Sequence, residues 1–327
     1  MERITIKNVA EEAGVSVTSV SRVLNNRGYI SDELRNKVMS AVKKLNYTPN
    51  EIARSFFKNE TRSIALIVPT INNPFFSELA FYIERELANF NYHLFVGNSL
   101  NNSMNEKEYL QMLDEKRVDG IIVGSHNMGI DEYDKIQGNI VSIERRISEK
   151  IPMIESDNYH GGKIATEELI KLGCKNIICI SGNKNVDTPA NNRVAAYSHV
   201  LKDNNMEEFI IEIPFSESEE EKLYRLNKLF HSNINFDGVF AGDDLMAKYI
   251  MNIANEKKIN LQSDLKIIGF DGTSLMQNLV PELMTVVQPI ERMAKTTVEV
   301  LLKLIKGEKV KDVYTLPVKL KVTPTSK

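Results

Sequence analysis

Residues 13–26 read AGVSVTSVSRVLNN. Val17, Val20, Val23 and Leu24 fall on one stripe of a short helix, and Ser16 stands where an N-cap belongs. The other face carries Ser16, Thr18, Ser19, Ser21 and Arg22. A helix that only packs against its own protein has no need of that face. One that enters a groove does: hydroxyls reach phosphates or base edges, and an arginine fork matches guanine O6 and N7. Upstream, Ile6, Val9, Ala10 and Ala13 repeat with helical spacing until Gly14 breaks the run. Downstream, Ser31 followed by Asp32 and Glu33 announces a third helix. Its buried positions would be Leu34, Val38, Ala41, Val42 and Leu45, and it ends before Pro49. Two short helices across a glycine turn, backed by a third, predict a helix-turn-helix head over 1–48.

Residues 49–63, PNEIARSFFKNETRS, begin like a helix but are too short and polar to be stable alone. Such a piece needs a partner surface to form. Charge divides at the same place. The first sixty residues hold ten Lys/Arg against seven Asp/Glu, whereas the remainder holds 31 against 37. A mildly basic head on an acidic body points to a polyanion partner for the head alone.

Beyond residue 61 the pattern alternates strand and helix. SIALIV, YHLFVG, GIIVG and NIVSI are strand runs separated by amphipathic segments, and a second set follows with NIICIS, FIIEI, GVFAG and LKIIGF. Alternation of this length predicts parallel sheets with crossover helices. One sheet of so many strands would be large, so two similar lobes are expected, joined near 157–162 and again near 288–289. The first lobe takes 62–160 plus 290–320, including VYTLPVKL as a closing strand, and the second takes 161–289. The fold expected is an all-α head followed by an α/β two-lobed body, with 49–61 as hinge helix and linker. Cys174 and Cys179 are expected as two reduced thiols. The N-terminal residues lack the apolar core of a signal peptide, so a cytoplasmic protein is expected.

TIKNVAEEAGVSVTSVSRVLNN and YISDELRNKVMSAVKKLNYTPNEIARS closely resemble the lactose-repressor (LacI/GalR) family of bacterial transcription regulators. The resemblance continues in IALIVPTINNPFFSELAFYIERE, RVDGIIVG, VSIERR, SDNYHGGKIATEELIKLG, FDGVFAGDDLMA, LKIIGFDG and LMTVVQPI, in family order along the whole chain. It implies a periplasmic-binding-protein-like body and a homodimer whose paired heads bind a pseudo-palindromic DNA operator. Val17, Thr18 and Arg22 match positions that read bases. Thr5, Ser16, Ser21, Asn25 and Tyr47 match positions near phosphates. Residues 49–57 match the hinge helix that lies in the minor groove, with Asn50 at its start and Ala53 fitting a close contact. Phe56 stands where relatives usually have the leucine that wedges between the central base steps, and phenylalanine also serves as a wedge.

Parallel strands place ligands at their carboxyl ends, in the crevice between lobes. The resemblance puts Arg193, Asp243 and Asp271 at effector positions, with Asn73, Phe75 and Glu144 lining the opposite lobe. Phe215, after FIIEI, is placed to stack on an apolar sugar face, and Asp157 either meets ligand or starts the helix near Gly161. An arginine with several carboxylates suits neighbouring hydroxyls. Each acid taken alone also suits a helix cap. HGGKIA fails as a phosphate loop, because the first glycine would fall at Asp157 and Ile164 follows Lys163. The five histidines are scattered without metal spacing and there is no GxSxG elbow. No catalytic site, metal or cofactor is expected, and the histidines are expected as filler. The function expected is a dimeric repressor of a carbohydrate-utilisation operon, released by a sugar or sugar phosphate. The alternatives are a catabolite-control regulator helped by a corepressor or a phosphorylated carrier protein and, in another class, a sugar-binding transport protein. A chain without a leucine heptad tail favours the dimer over a tetramer.

Overall fold

The computed structural model describes residues 4–48, 60–136, 138–261 and 263–322. The chain divides into two compact units, Met1–Thr61 and Arg62–Lys327.

Among its described residues the first unit holds three helices, α1 (Ile6–Ala13), α2 (Val17–Leu24) and α3 (Asp32–Lys44). Gly14 ends α1 in the left-handed conformation at φ 64°, which a glycine adopts without steric cost. Ser16 accepts from the Ser19 amide to cap α2, and Ser31 caps α3 through Leu34. Val9, Val20 and Val38 are fully buried and meet Ala10, Val23 and Ala41 at the centre of the small core. The stripe read from the sequence is corrected at one end: Val17 is exposed, leaving Val20 and Val23 to hold α2 down. The expected hinge helix, with Asn50, Ala53 and Phe56, lies outside the described residues.

The second unit has two six-stranded sheets. In chain order the strands are β1 (Ser63–Val68), β2 (His93–Asn98), β3 (Gly120–Val123), β4 (Ile140–Ile143), β5 (Met153–Ser156), β6 (Ile177–Ser181), β7 (Phe209–Glu212), β8 (Gly238–Ala241), β9 (Lys266–Asp271), β10 (Met284–Val287), β11 (Val313–Leu316) and β12 (Lys319–Lys321). The first sheet has the order β11-β5-β4-β3-β1-β2 and the second β12-β10-β9-β8-β6-β7. The helices are α4 (Pro74–Ala88), α5 (Ser103–Asp114), α6 (Glu132–Lys135), α7 (Asn158–Lys171), α8 (Asn191–Asp203), α9 (Glu219–Phe230), α10 (Asp244–Glu256), α11 (Ser274–Leu279) and α12 (Ile290–Ile305). Continuous apolar runs such as SIALIV are buried on both faces because helices cover both sides of each parallel sheet. In the first lobe, α12 returns to pack Met293, Ala294, Val298 and Leu301 beside Leu79 and Ile83 of α4.

VYTLPVKL is not one strand. Val313–Leu316 pairs with β5 in the first sheet, whereas Lys319–Lys321 pairs antiparallel with β10 in the second. Pro317 sits at the break, where a missing amide proton ends ladder pairing. The lobes are therefore joined three times, after β5, after β10 and between β11 and β12, and the second sheet carries one antiparallel edge. Among the described residues no helix is long and apolar enough to cross a membrane.

Candidate functional site

On the head, Thr18 and Arg22 are exposed and stand on the same face of α2 as Val17. Arg22 is not free in the head: its Nη2 donates to the Tyr29 carbonyl at 3.2 Å and its Nε to that of Arg27 at 3.5 Å. Reaching a base edge means exchanging these exposed bonds for new ones. Three of the positions matched to phosphates also shape the helices. The Thr5 amide donates to Asn8 Oδ1 at 2.9 Å, Ser16 caps α2, and Asn25 Nδ2 donates back to the Ser21 carbonyl at 2.9 Å. Tyr47 is half-buried against the core beside Leu45.

In the body, a cavity of about 230 Å³ opens between the lobes. The first lobe contributes His126, Asn127 and Met128, and the second contributes Ser181, Asn183, Asn191, Arg193 and Phe215. Arg193 is the one charged side chain among the described residues lining it. Its Nε donates to Asn158 Oδ1 at 2.6 Å, its Nη1 to the Gly242 carbonyl at 2.9 Å, and its guanidinium carbon lies 3.4 Å from the centroid of the Phe270 ring. Asn158 Nδ2 donates in turn to Glu144 Oε2 at 2.8 Å, and Glu144 Oε1 accepts from the Ser156 amide at 2.6 Å. Ser156 Oγ donates to Gln288 Oε1 at 2.6 Å, and Gln288 Nε2 donates to Asp271 Oδ1 at 2.6 Å. Glu144, Arg193 and Asp271 thus belong to one buried network, threaded through Ser156 and Gln288 where the chain crosses between lobes. Backbone strain coincides with it: Glu144 has φ 52° and Asp271 has φ 114°, conformations that non-glycine residues rarely hold.

Four carboxylates surround one guanidinium. Burial pushes the pKa values of Glu144 and Asp243 up, Asp271 well up, and Asp244 up to about 7. Burial also lowers that of Arg193, against the pull of Glu144 and Asp271, yet an arginine stays charged. The region thus sets four carboxyl groups, each pushed toward its neutral form, around one guanidinium that stays charged.

The other expected effector residues are placed differently. Asn73 caps α4 through the Phe75 amide and lines a separate narrow crevice with Asp271, Asp244 and Thr273. Phe75 is buried in the first lobe's core, edge-on to Phe76. Asp157 caps α7 through the His160 amide, and Asp243 caps α10 through Met246. The glycines of HGGKIA serve packing, since a Cβ on Gly162 would strike the Arg193 backbone. Asn158, Gln288 and His126 escaped the sequence reading. Single amides and a histidine carry no pattern, and their positions depend on two lobes meeting. Cys174 and Cys179 are free and buried, with pKa values pushed up by burial to about 12, which leaves both thiols protonated.

Comparison with known proteins agrees with this geometry. Residues 5–50 match the lacI family of bacterial regulatory proteins, and residues 166–324 match a periplasmic binding protein-like domain. A sucrose operon repressor of Streptococcus mutans is 40% identical over 96% of this chain and 97% of its own length. The chain belongs to the LacI family. A ribose operon repressor of Bacillus subtilis is 37% identical over 93% of this LacI-family chain and 92% of its own. Among solved structures, a LacI-type regulator from Alkaliphilus metalliredigens complexed with D-xylulofuranose superposes with a TM-score of 0.72 at 33% identity, over 80% of this chain and 97% of that one. The lac repressor dimer bound to operator shares the fold with a TM-score of 0.86 over 99% of each chain. The protein is a DNA-binding transcriptional regulator with a helix-turn-helix head and a two-lobed body.

Proposed function

We propose that the protein is a cytoplasmic homodimer that represses a carbohydrate-utilisation operon and releases its operator when an uncharged saccharide binds between the lobes. The cavity carries this reading. Its lining offers amides, hydroxyls and an aromatic face, and its one cation already stands among four carboxylates. Hydroxyls of a sugar pair with such groups in both directions. A phosphate would bring negative charge into a site whose one lining cation already donates to Asn158 and the Gly242 carbonyl, which favours the free sugar over its phosphate. Relatives named for sucrose and ribose operons support the class. On the head, Val17, Thr18 and Arg22 read bases, with Asn50, Ala53 and Phe56 completing the interface through the hinge segment. Exposed Phe95 and Val96 lie on β2, the open edge of the first sheet, with Leu100 and Met104 just beyond, and a second copy covering them accounts for an edge otherwise left bare.

Release follows from linkage. A sugar that favours one lobe arrangement shifts the balance against the arrangement the operator selects, and the coupling is reciprocal. Operator selection from random duplexes, repeated with neutral sugars and their phosphates, tests this. A palindrome recovered alone and lost with one neutral sugar supports the proposal. Recovery only with an added small molecule or carrier protein would replace induction by corepression, and loss only with a phosphorylated sugar would overturn the charge argument.

A further inference from the structure

His126 is gripped in a way that folding alone does not explain. It follows β3 between Ser125 and Asn127, and both neighbours are tied to one buried ion pair. Glu106 of α5, out of solvent contact, accepts from Ser125 Oγ at 2.6 Å, Asn127 Nδ2 at 2.8 Å and Arg145 Nη1 at 2.6 Å, and also from the Tyr133 hydroxyl. Arg145 donates in addition to Ser125 Oγ at 3.0 Å and to the Asn127 carbonyl, and lies 5.3 Å over the Tyr133 ring. A buried ion pair with its remaining bonds satisfied fixes geometry more than it adds stability. Here the geometry it fixes is that of a loop in the cavity wall.

Between the two grips the imidazole lines the cavity. Its ring centroid lies 6.3 Å from that of Phe76 in its own lobe and 5.7 Å from that of Phe215 in the other. Its Nδ1 is out of solvent contact and has no protein partner. A buried polar atom left unpaired is destabilising, and an apolar residue of similar size would avoid that cost. Burial, reinforced by Arg145 and opposed by Glu106, lowers the imidazole pKa to about 4. At neutral pH the ring is therefore uncharged, with one nitrogen donating and the other accepting. That pairing matches a hydroxyl and adds no charge to the lining. A turn of the ring about its outer torsion presents either nitrogen.

We infer that His126 is a specificity-determining effector contact, hydrogen-bonding a hydroxyl of an uncharged sugar and forming with Phe215 an apolar wall that spans both lobes, while Glu106 and Arg145 are the positioning residues that hold it. The inference rests on the reading of the cavity as a sugar site and names the side chain that senses the sugar from the first lobe. Because the wall has one ring on each lobe, a sugar packed along it ties occupancy to lobe position.

The test is calorimetric titration of the full-length wild type and variants with a panel of neutral sugars that includes sucrose, D-ribose and cellobiose, with D-glucose 6-phosphate as the charged control. For the sugar that binds wild type, His126→Leu loses affinity about tenfold or more, and His126→Gln, which keeps a polar end, stays within about threefold. Glu106→Gln weakens the same sugar, and Glu106→Gln with His126→Leu loses no more than His126→Leu alone, because one residue acts through the other. Wild-type affinity in His126→Leu would overturn the contact while leaving the sugar site standing, and additive losses in the double variant would overturn the positioning role. No binding by any neutral sugar to wild type would bring down the sugar site itself, and this inference with it.

Discussion

The head and the cleft do their work under opposite conditions. On α2, Thr18 and Arg22 are exposed and the bonds Arg22 makes are ones that water can replace, so on the proposed reading changing them costs binding and little else. In the cleft, Glu144, Asn158, Arg193, Gln288 and Asp271 are buried and joined through one hydrogen-bonded network. There, a change for function is also a change for stability. The difference teaches where each site can adapt: the reading surface can alter its sequence preference freely, whereas the effector network is tied to the crossings that let the lobes move.

The widest gap should appear at Arg193. Arg193→Ala leaves its carboxylates without their cation and should cost the body about 3–5 kcal/mol in denaturant unfolding, with the head unaffected. A loss under about 1 kcal/mol would erase the contrast. Arg22→Ala should weaken operator binding by about 1–3 kcal/mol while head stability stays within about 0.5 kcal/mol, measured by titration of a labelled duplex and by thermal unfolding. Equal losses on operator and random DNA would make Arg22 a phosphate contact. Ser16→Ala should cost the head about 1 kcal/mol, since the cap on Ser19 is lost. An unchanged midpoint would show that water replaces the cap.

A separate effect concerns pH. His126 has a pKa near 4 in the fold against an ordinary value of 6.5. The unfolded chain takes up this proton more readily, so the contribution is complete above about pH 6.5 and is lost as pH falls toward 4. His126→Gln should therefore flatten the fall in body melting temperature between those values. A slope identical to wild type would show that folding does not hold the imidazole neutral.

The same contrast decides what could be read from the sequence. The head's reading residues lie within eight positions on one helix, and the 3.6-residue period of their valines exposes them. The two lobes follow from alternating strand and helix runs. The break at Pro317 was hidden because VYTLPVKL is apolar enough to pass for one strand, and only the pairing partners of its halves tell them apart. In the cleft, carboxylates and Arg193 stood out through charge and family position, whereas Asn158 and Gln288, which join them, lie 130 residues apart and meet only through three crossings.

Reciprocity offers the most direct test of the central claim. Sugar affinity is measured for the free protein and for the operator complex, and operator affinity with and without saturating sugar. The account predicts weaker sugar binding to the operator complex, by the same factor that sugar weakens operator binding. A sugar that binds the free protein and the operator complex equally well would contradict it.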